Sequence, residues 1–383
     1  MNKIYLDNNA TTPLDPKVKE AMLPYLEEFF GNPSSLHIKG VEAMRGIEEA
    51  RRILADALHV KSSEVAFTSG ATESDNWAIK GVAESRKRSG NHIITQKTEH
   101  KAVLRSCEYL EGRGFDVTYL GVDSEGRINK DELLNAITNK TILVAIMHVN
   151  NEIGTIHPIN GLARACKNKK QDIIFFSDGV QALGKLEIDL ENIDLYAVSS
   201  HKVHGPKGVG ALMIKEGLNI EKLIHGGNQE NRHRSGTENV AGIVGFGKAV
   251  ELMYEDFEVK KKHFEKLQSK FLECLKQIDG VKINSPKDGI STTLNVGFKG
   301  VPAEVLLHAL ESEGIYVSTG SVCSSADKKT NHVLEAIKVP DEYITGSLRF
   351  GLSRFNTLQD IEHACKVLEE RLKELRKVTS NQY

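Results

Sequence analysis

Short apolar runs punctuate the first part of the chain, and each ends in polar or turn-forming residues. They are Val65 to Phe67, Ile93-Ile94, Ile142 to Met147, Ile173 to Ser177, Leu195 to Val198 and Val209 to Ile214. Runs this brief and this uniformly apolar fit buried strands rather than half-exposed ones, which would alternate. Between them lie stretches with helical spacing, such as Glu73 to Glu84 with Trp77, Ile79 and Val82. From about Glu64 to Ile214 the two textures alternate, which predicts an α/β fold: a mostly parallel sheet with helices on both faces.

After about Glu255 the texture changes. A charged helical stretch, roughly Glu258 to Ile278, precedes short runs at Ser291 to Val296 and Gly346 to Leu352. A final helix starts at Thr357-Leu358-Gln359-Asp360, a capping signature, and its spacing buries Ile361, Ala364, Cys365, Leu368 and Leu372. This pattern predicts a second, smaller α+β domain. The length of 383 residues leaves room for two or three domains with ample core.

Composition narrows the possibilities. The formal net charge is −2, so no broad basic surface argues for direct nucleic-acid binding. No apolar run is long enough to cross a bilayer, and Met1 to Pro13 lacks the apolar segment of a secretory signal. Five cysteines at scattered positions fit a reducing compartment, and a cytoplasmic location is expected.

The polar residues at the strand ends carry the chemistry. Lys202 follows the run Leu195 to Val198, where partial desolvation lowers an amine's pKa and frees it as a nucleophile. Asp178 ends the preceding run. A lysine and a carboxylate so placed suit pyridoxal phosphate, one holding the aldehyde and the other keeping the pyridine nitrogen protonated. Each residue alone also reads as a solvated loop lysine or a turn aspartate. Ser69-Gly70-Ala71-Thr72 opens the helix after Val65 to Phe67, forming either an anion pocket or an ordinary cap. His100 follows Ile93-Ile94 as a ring-stacking group or a structural histidine. Asn151 follows Ile142 to Met147. Four such strand ends converge on one crevice if the strands are parallel. His201 and His204 have metal-like spacing but no accompanying ligand set, so no metal is expected. Gly205, Gly208 and Gly210 lack a following helix and read as a turn between strands.

These residues fall into ordered motifs: YLDNNATTP, GNPSS, FTSGATESDN, TEHKAVL, MHVNNEIG, SSHKVHGPKGVGAL, RSGTEN and SLRFGLSRFNT. Together they resemble the class V pyridoxal-phosphate-dependent aminotransferases, and within them the NifS/IscS-type cysteine desulfurases, over essentially the whole chain. The resemblance implies a fold type I (aspartate aminotransferase-like) enzyme. Its large domain would span 15–255 and its small domain 1–14 with 256–383. It makes Lys202 the lysine that holds the cofactor, Asp178 the partner of the pyridine nitrogen, and Gln181 the partner of the phenolic oxygen. His100 becomes the stacking imidazole, also able to assist proton transfer. Ala71, Thr72, Ser199 and His201 match cofactor-binding positions, the last three on the phosphate. Thr237 matches a phosphate ligand that reaches in from the other subunit of a homodimer. Asn151 and Arg349 match substrate-holding groups, and a guanidinium fork suits an α-carboxylate. Two departures stand out: Gly179 where the family usually has alanine, and Ser200 where relatives often have glycine. Both are expected to be tolerated.

The cysteines distinguish the chemistry within that family. Cys107, Cys166, Cys274 and Cys365 have apolar neighbours at helical spacing and read as core residues. Cys323 sits instead in a Gly/Ser-rich stretch, Ser318 to Asp327, at the position the family uses for its nucleophile. The expected reaction converts L-cysteine to L-alanine. The sulfur is left as a persulfide on Cys323 and passes to a thiol acceptor such as an iron–sulfur cluster scaffold. The rival readings are a selenocysteine lyase or other class V aminotransferase, and a non-enzymatic sulfur-relay protein.

Overall fold

The computed structural model describes residues 3–319 and 331–380. Its strands in chain order are β1 (Ile4–Tyr5), β2 (Val65–Thr68), β3 (His92–Gln96), β4 (Asp116–Leu120), β5 (Thr141–Ala145) and β6 (Ile174–Asp178). They continue with β7 (Leu195–Ser199), β8 (Gly210–Ile214), β9 (Val281–Ile283), β10 (Thr293–Phe298), β11 (Ile315–Tyr316) and β12 (Ser347–Gly351).

Seven of these form one sheet in the order β2-β8-β7-β6-β5-β3-β4. The pairs β7–β6, β6–β5, β5–β3 and β3–β4 are parallel, and only β8 runs against its neighbours. The expected parallel sheet is therefore present with one reversed strand. β7 and β8 are joined through the turn at 200–209, so Gly205 and Gly208 belong to a strand connection, as their lack of a following helix predicts. Crossover helices Ala71–Arg86, Lys101–Glu111 and Ile159–Lys169 return the chain between the parallel strands.

The uniform apolar runs are explained by two cores, one on each face. Ile94, Val144, Phe175, Tyr196 and Val198 point to one. Their immediate neighbours Ile93, Leu143, Phe176, Leu195 and Ala197 point to the other, with Trp77, Ile79 and Val82 of the helix Ala71–Arg86. A strand buried on both faces has no polar side to display.

A third core surrounds an antiparallel sheet of order β12-β10-β9 and the parallel pair β1–β11. Leu267 and Phe271 of the helix Phe257–Leu275 join it, as do Ile361, Ala364, Cys365, Leu368 and Leu372 of the helix Leu358–Ser380. The predicted cap is in place: Thr357 N donates to Asp360 Oδ2 at 2.8 Å, and Asp360 N donates to Thr357 Oγ1 at 3.1 Å. The N-terminal strand β1 lies in this second assembly, 311 positions from Ile315, its partner across the pair Ile4–Ile315 (315 − 4).

Candidate active site

The forward-running strands all end on one side of the seven-stranded sheet. The turns beyond them line a cavity of about 1220 Å³, closed from the opposite side by residues of the smaller assembly. Ala71, Thr72, His100, Asn151, Asp178, Gln181, Ser199, His201, Lys202 and Arg349 all line it. Thr237 does not. It is exposed in the segment after the short helix Glu230–Arg232, while its neighbour Arg234 pairs with Glu73 at 2.9 Å beside the start of the helix Ala71–Arg86. Cys323 lies outside the described residues. Ser318 and Thr319 on one side of that segment, and Asn331 and His332 on the other, line the same cavity.

The anion pocket is built by the backbone. Gly70 precedes the helix Ala71–Arg86 with φ of 150°, a conformation that disfavours any side chain, and a Cβ there would meet nothing within 4 Å. The chain thus turns sharply and leaves open space over the first helical N–H groups, which have no intrahelical acceptor. Thr72, Ser199 and His201 border that space, with the exposed Lys207 at its rim. His201 has little to keep it charged: burial and the cations Lys202, Lys207 and Lys185 hold its pKa down to about 4. A phosphate dianion would reverse that bias.

Lys202 ends a single turn, Ser200–Lys202, directly after β7. Its Nζ donates to the carbonyl oxygens of Asn9 at 2.5 Å and Ala10 at 2.8 Å. Burial lowers its pKa to about 8, Arg349 adding to the effect and the carboxylates of Asp178, Asp7 and Glu152 opposing it. The amine is therefore deprotonated far more readily than a surface lysine. Asp178 ends β6, and Val180 N donates to its Oδ1 at 3.0 Å. Burial raises its pKa, while His100 and Lys202 pull the other way. Gln181 Nε2 donates to the Asn9 carbonyl at 3.1 Å.

His100 has two roles. As N-cap of the helix Lys101–Glu111 its Nδ1 accepts from Ala102 N at 3.2 Å, so a neutral ring carries its proton on Nε2. Burial lowers its pKa. The capping and stacking readings of this residue are compatible.

Asp75 and Glu99 stand behind Asp178. Asp75, His100 and Asp178 bring one ligand atom each within 4.8 Å of one another. Asp75 is fully buried with neither carboxylate oxygen hydrogen-bonded, and burial, then Asp178 and Glu99, push its pKa well above its ordinary value. Glu99 is raised to about 8, burial being the main cause. Burial biases both carboxyls beside Asp178 toward their neutral forms.

Arg349, on β12, is buried and forked: Nη1 donates to Glu152 Oε1 at 2.6 Å and Nη2 to Asp7 Oδ1 at 3.1 Å. Asn151 Nδ2 also donates to Glu152 Oε1, at 2.8 Å. The guanidinium is oriented before any substrate arrives, and a substrate carboxylate competes with Glu152 and Asp7 for it.

Of the remaining cysteines, Cys107, Cys166 and Cys365 are buried and Cys274 is partly so. Burial pushes the Cys107 and Cys166 thiols up to about 12, which suits apolar packing rather than nucleophilic chemistry. The spaced histidines both have other partners. His201 Nδ1 is hydrogen-bonded with Thr11 Oγ1, and His204 with the Pro13 carbonyl and Ser353 Oγ.

Residue-by-residue reading of the sequence misses Asn9 and Ala10, which act through backbone carbonyls and carry no side-chain signal. It also passes over Asp7 and Glu152, although both sit inside the ordered motifs, and over Asp75, Glu99 and Lys185. Gly179 proves to be a matter of space. A Cβ there would lie 1.9 Å from Cζ of Tyr196, whose ring fills the room an alanine methyl would need and whose hydroxyl is 2.8 Å from His148 Nδ1.

The donor set fits pyridoxal phosphate: a depressed-pKa amine, a buried carboxylate, a side-chain amide and an imidazole, all around one cavity with a helix N-terminus at its end. A crevice of this kind, outside the carboxyl ends of a mostly parallel sheet and closed by a smaller α+β unit, defines a fold type I pyridoxal-phosphate transferase. Comparison with known proteins makes the class specific. Residues 4–363 match the family model of the class V aminotransferases, and the chain belongs to that family, in its NifS/IscS-type branch. It is similar to "Cysteine desulfurase IscS" of Methanosarcina thermophila, at 48% identity over 98% of this chain and 93% of the relative. The protein of the same description from Dictyoglomus turgidum is also 48% identical, over 98% and 96%. Among solved structures, one described as a NifS-like protein superposes with a TM-score of 0.92 at 41% identity, covering 97% of this chain and all of that one. Another, SspA in complex with cysteine, gives 0.82 at 37%, covering 93% and 100%.

Proposed function

We propose that this chain is a pyridoxal-phosphate-dependent cysteine desulfurase, converting L-cysteine to L-alanine and passing the sulfur through a Cys323 persulfide to a thiol acceptor. The observation that carries the reading is the convergence of Lys202, Asp178, Gln181, His100 and Arg349 on one cavity, in a chain nearly half identical over its length to proteins named as cysteine desulfurases. Desulfurase chemistry is favoured over the lyase, transaminase and relay readings.

Lys202, Asp178, Gln181 and His100 would hold the cofactor ring, and Ala71, Thr72, Ser199 and His201 its phosphate end. When bound, pyridoxal phosphate supplies an electron sink for negative charge developing at the substrate Cα. Arg349 and Asn151 orient the α-carboxylate and so present the Cα proton to Lys202. Lys202, whose buried amine gives up its proton more readily than a surface lysine's, accepts that proton and returns it. Cys323 Sγ takes the substrate sulfur: an S–S bond forms, the substrate Cβ–S bond breaks, and the carbon skeleton leaves as alanine. One thiol and one cysteine thus become one persulfide and one alanine, with no external oxidant.

The domain assignment (15–255, and 1–14 with 256–383) belongs to this reading, supported by the separate cores of the two assemblies. A homodimer is supported by exposed apolar residues along 23–38 and by Thr237, which is exposed and does not line its own cavity. L-cysteine as substrate is supported by the likeness to a structure solved with cysteine. No helix among the described residues is long and apolar enough to cross a membrane, and a cytoplasmic location with an iron–sulfur scaffold as acceptor follows the branch.

The test is alanine release from L-cysteine by cofactor-loaded protein with a reductant, beside Cys323→Ala. Turnover by the wild type and loss of at least about a hundredfold in the variant is the expected result, as for removal of a nucleophile acting in concert with its site. Equal turnover would transfer the assignment to lyase or transaminase chemistry.

A further inference from the structure

Lys185 is a buried lysine that none of the steps above uses. It lies four residues beyond Gln181 in the turns that follow β6, and its Nζ donates to Gln181 Oε1 at 2.8 Å. Among the described residues no carboxylate pairs with it. The titratable groups around it are Lys202, which disfavours a further positive charge, and His201 and His204, whose own pKa values Lys185 helps to lower. Burial, then Lys202, lowers its pKa to about 7. A methionine or leucine would fill such a place without the cost of burying an amine, so its contact with Gln181 is what distinguishes it.

That contact decides which end of an amide faces where. The Asn9 backbone carbonyl only accepts, so it takes Nε2, and Lys185 Nζ donates to the carbonyl oxygen at the other end of the amide. The Asn9 carbonyl also accepts from Lys202 at 2.5 Å, a charged competitor for the same oxygen. Lys185 is the partner that serves Gln181 alone.

We propose that Lys185 is a positioning residue that holds the Gln181 amide with its N–H toward the cavity, as a donor to the ionised phenolic oxygen of bound pyridoxal phosphate. The inference rests on the reading of Gln181 given above. It concerns ground-state binding and the electronic state of the cofactor, so it is measured without turnover.

Lys185→Met, Gln181→Leu and the double variant are loaded with pyridoxal phosphate. The cofactor Kd and the pH midpoint of its visible absorption change are then measured for each, and Lys185→Leu serves where Lys185→Met does not unfold cooperatively. Gln181→Leu raises Kd about tenfold and moves the midpoint up by about one pH unit, the size of one lost charge-assisted hydrogen bond. Lys185→Met moves both in the same direction. In the Gln181→Leu background it adds nothing further, because its route is gone. An unchanged band in Lys185→Met overturns the proposal, as does an equal shift in both backgrounds, which would mark a direct effect of the charge. An unchanged band in Gln181→Leu overturns instead the placement of Gln181 beside the phenolic oxygen.

Discussion

At the residue scale the site is organised by which groups are allowed to be charged. Burial biases Asp75 and Glu99 toward their neutral forms, whereas Asp178, also raised by burial, has His100 and Lys202 beside it to favour its charge. Glu99 Oε1 accepts from Gln96 Nε2 at 2.8 Å and from Met147 N at 2.6 Å, contacts a glutamine carbonyl can also make. The pH dependence follows from the raised pKa. The unfolded chain releases this proton near 4.5 and the folded one near 8, so between them the folded state binds more protons and stability falls as pH rises. Glu99→Gln removes this loss. Its Tm advantage over the wild type should grow between pH 4.5 and 8 and then level off; an offset independent of pH would mean that Glu99 is ionised throughout. The same logic of space and partners explains Gly179, where Tyr196 occupies the volume of the missing methyl.

At the scale of elements, the helices serve the site through their ends. The helix Ala71–Arg86 offers its N-terminus to an anion, and Lys101–Glu111 is capped by the very imidazole that faces the cavity. The helix Leu358–Ser380 acts differently, closing the core under β10 and β12 and so holding Arg349 in place. Its start depends on the reciprocal bonds between Thr357 and Asp360. Thr357→Ala should cost about 1 kcal/mol of stability, seen as faster amide exchange in the first turn of this helix, while cofactor affinity stays at the wild-type value. A drop in cofactor affinity would mean that the helix end is coupled to the site.

For the whole molecule, the apolar surface that the fold leaves uncovered is concentrated near the N-terminal helix Pro16–Glu27. Leu23, Leu26, Phe30, Leu36 and Ile38 are exposed, Phe30 at 70% and Leu36 at 98%. Exposed apolar side chains grouped in one stretch of chain fit the interface of the proposed homodimer. Phe30→Asp should shift the protein toward monomer in light scattering at micromolar concentration. If Thr237 completes the partner's phosphate site, cofactor affinity falls with it. A monomeric variant with full cofactor affinity would separate Thr237 from the site.

Much of this protein is determined locally by sequence. The apolar runs with no polar face required strands buried on both sides, and the Thr357–Asp360 cap announced the last helix. The polar groups at the ends of Ile174–Asp178 and Leu195–Ser199 put Asp178 and Lys202 beyond the same ends of two strands that pair in parallel, and so on one cavity. What only the tertiary structure decided are contacts across long stretches of chain. Arg349 meets Asp7 from 342 residues away and Glu152 from 197, and the Asn9 carbonyl takes Lys202 from 193. Such contacts leave no local periodicity, and backbone carbonyls are the same in every residue. Burial is also a property of the folded whole. The bias of Asp75 and Glu99 toward their neutral forms and the lowered pKa of Lys202 and Lys185 exist only when water has been excluded from both faces of the sheet.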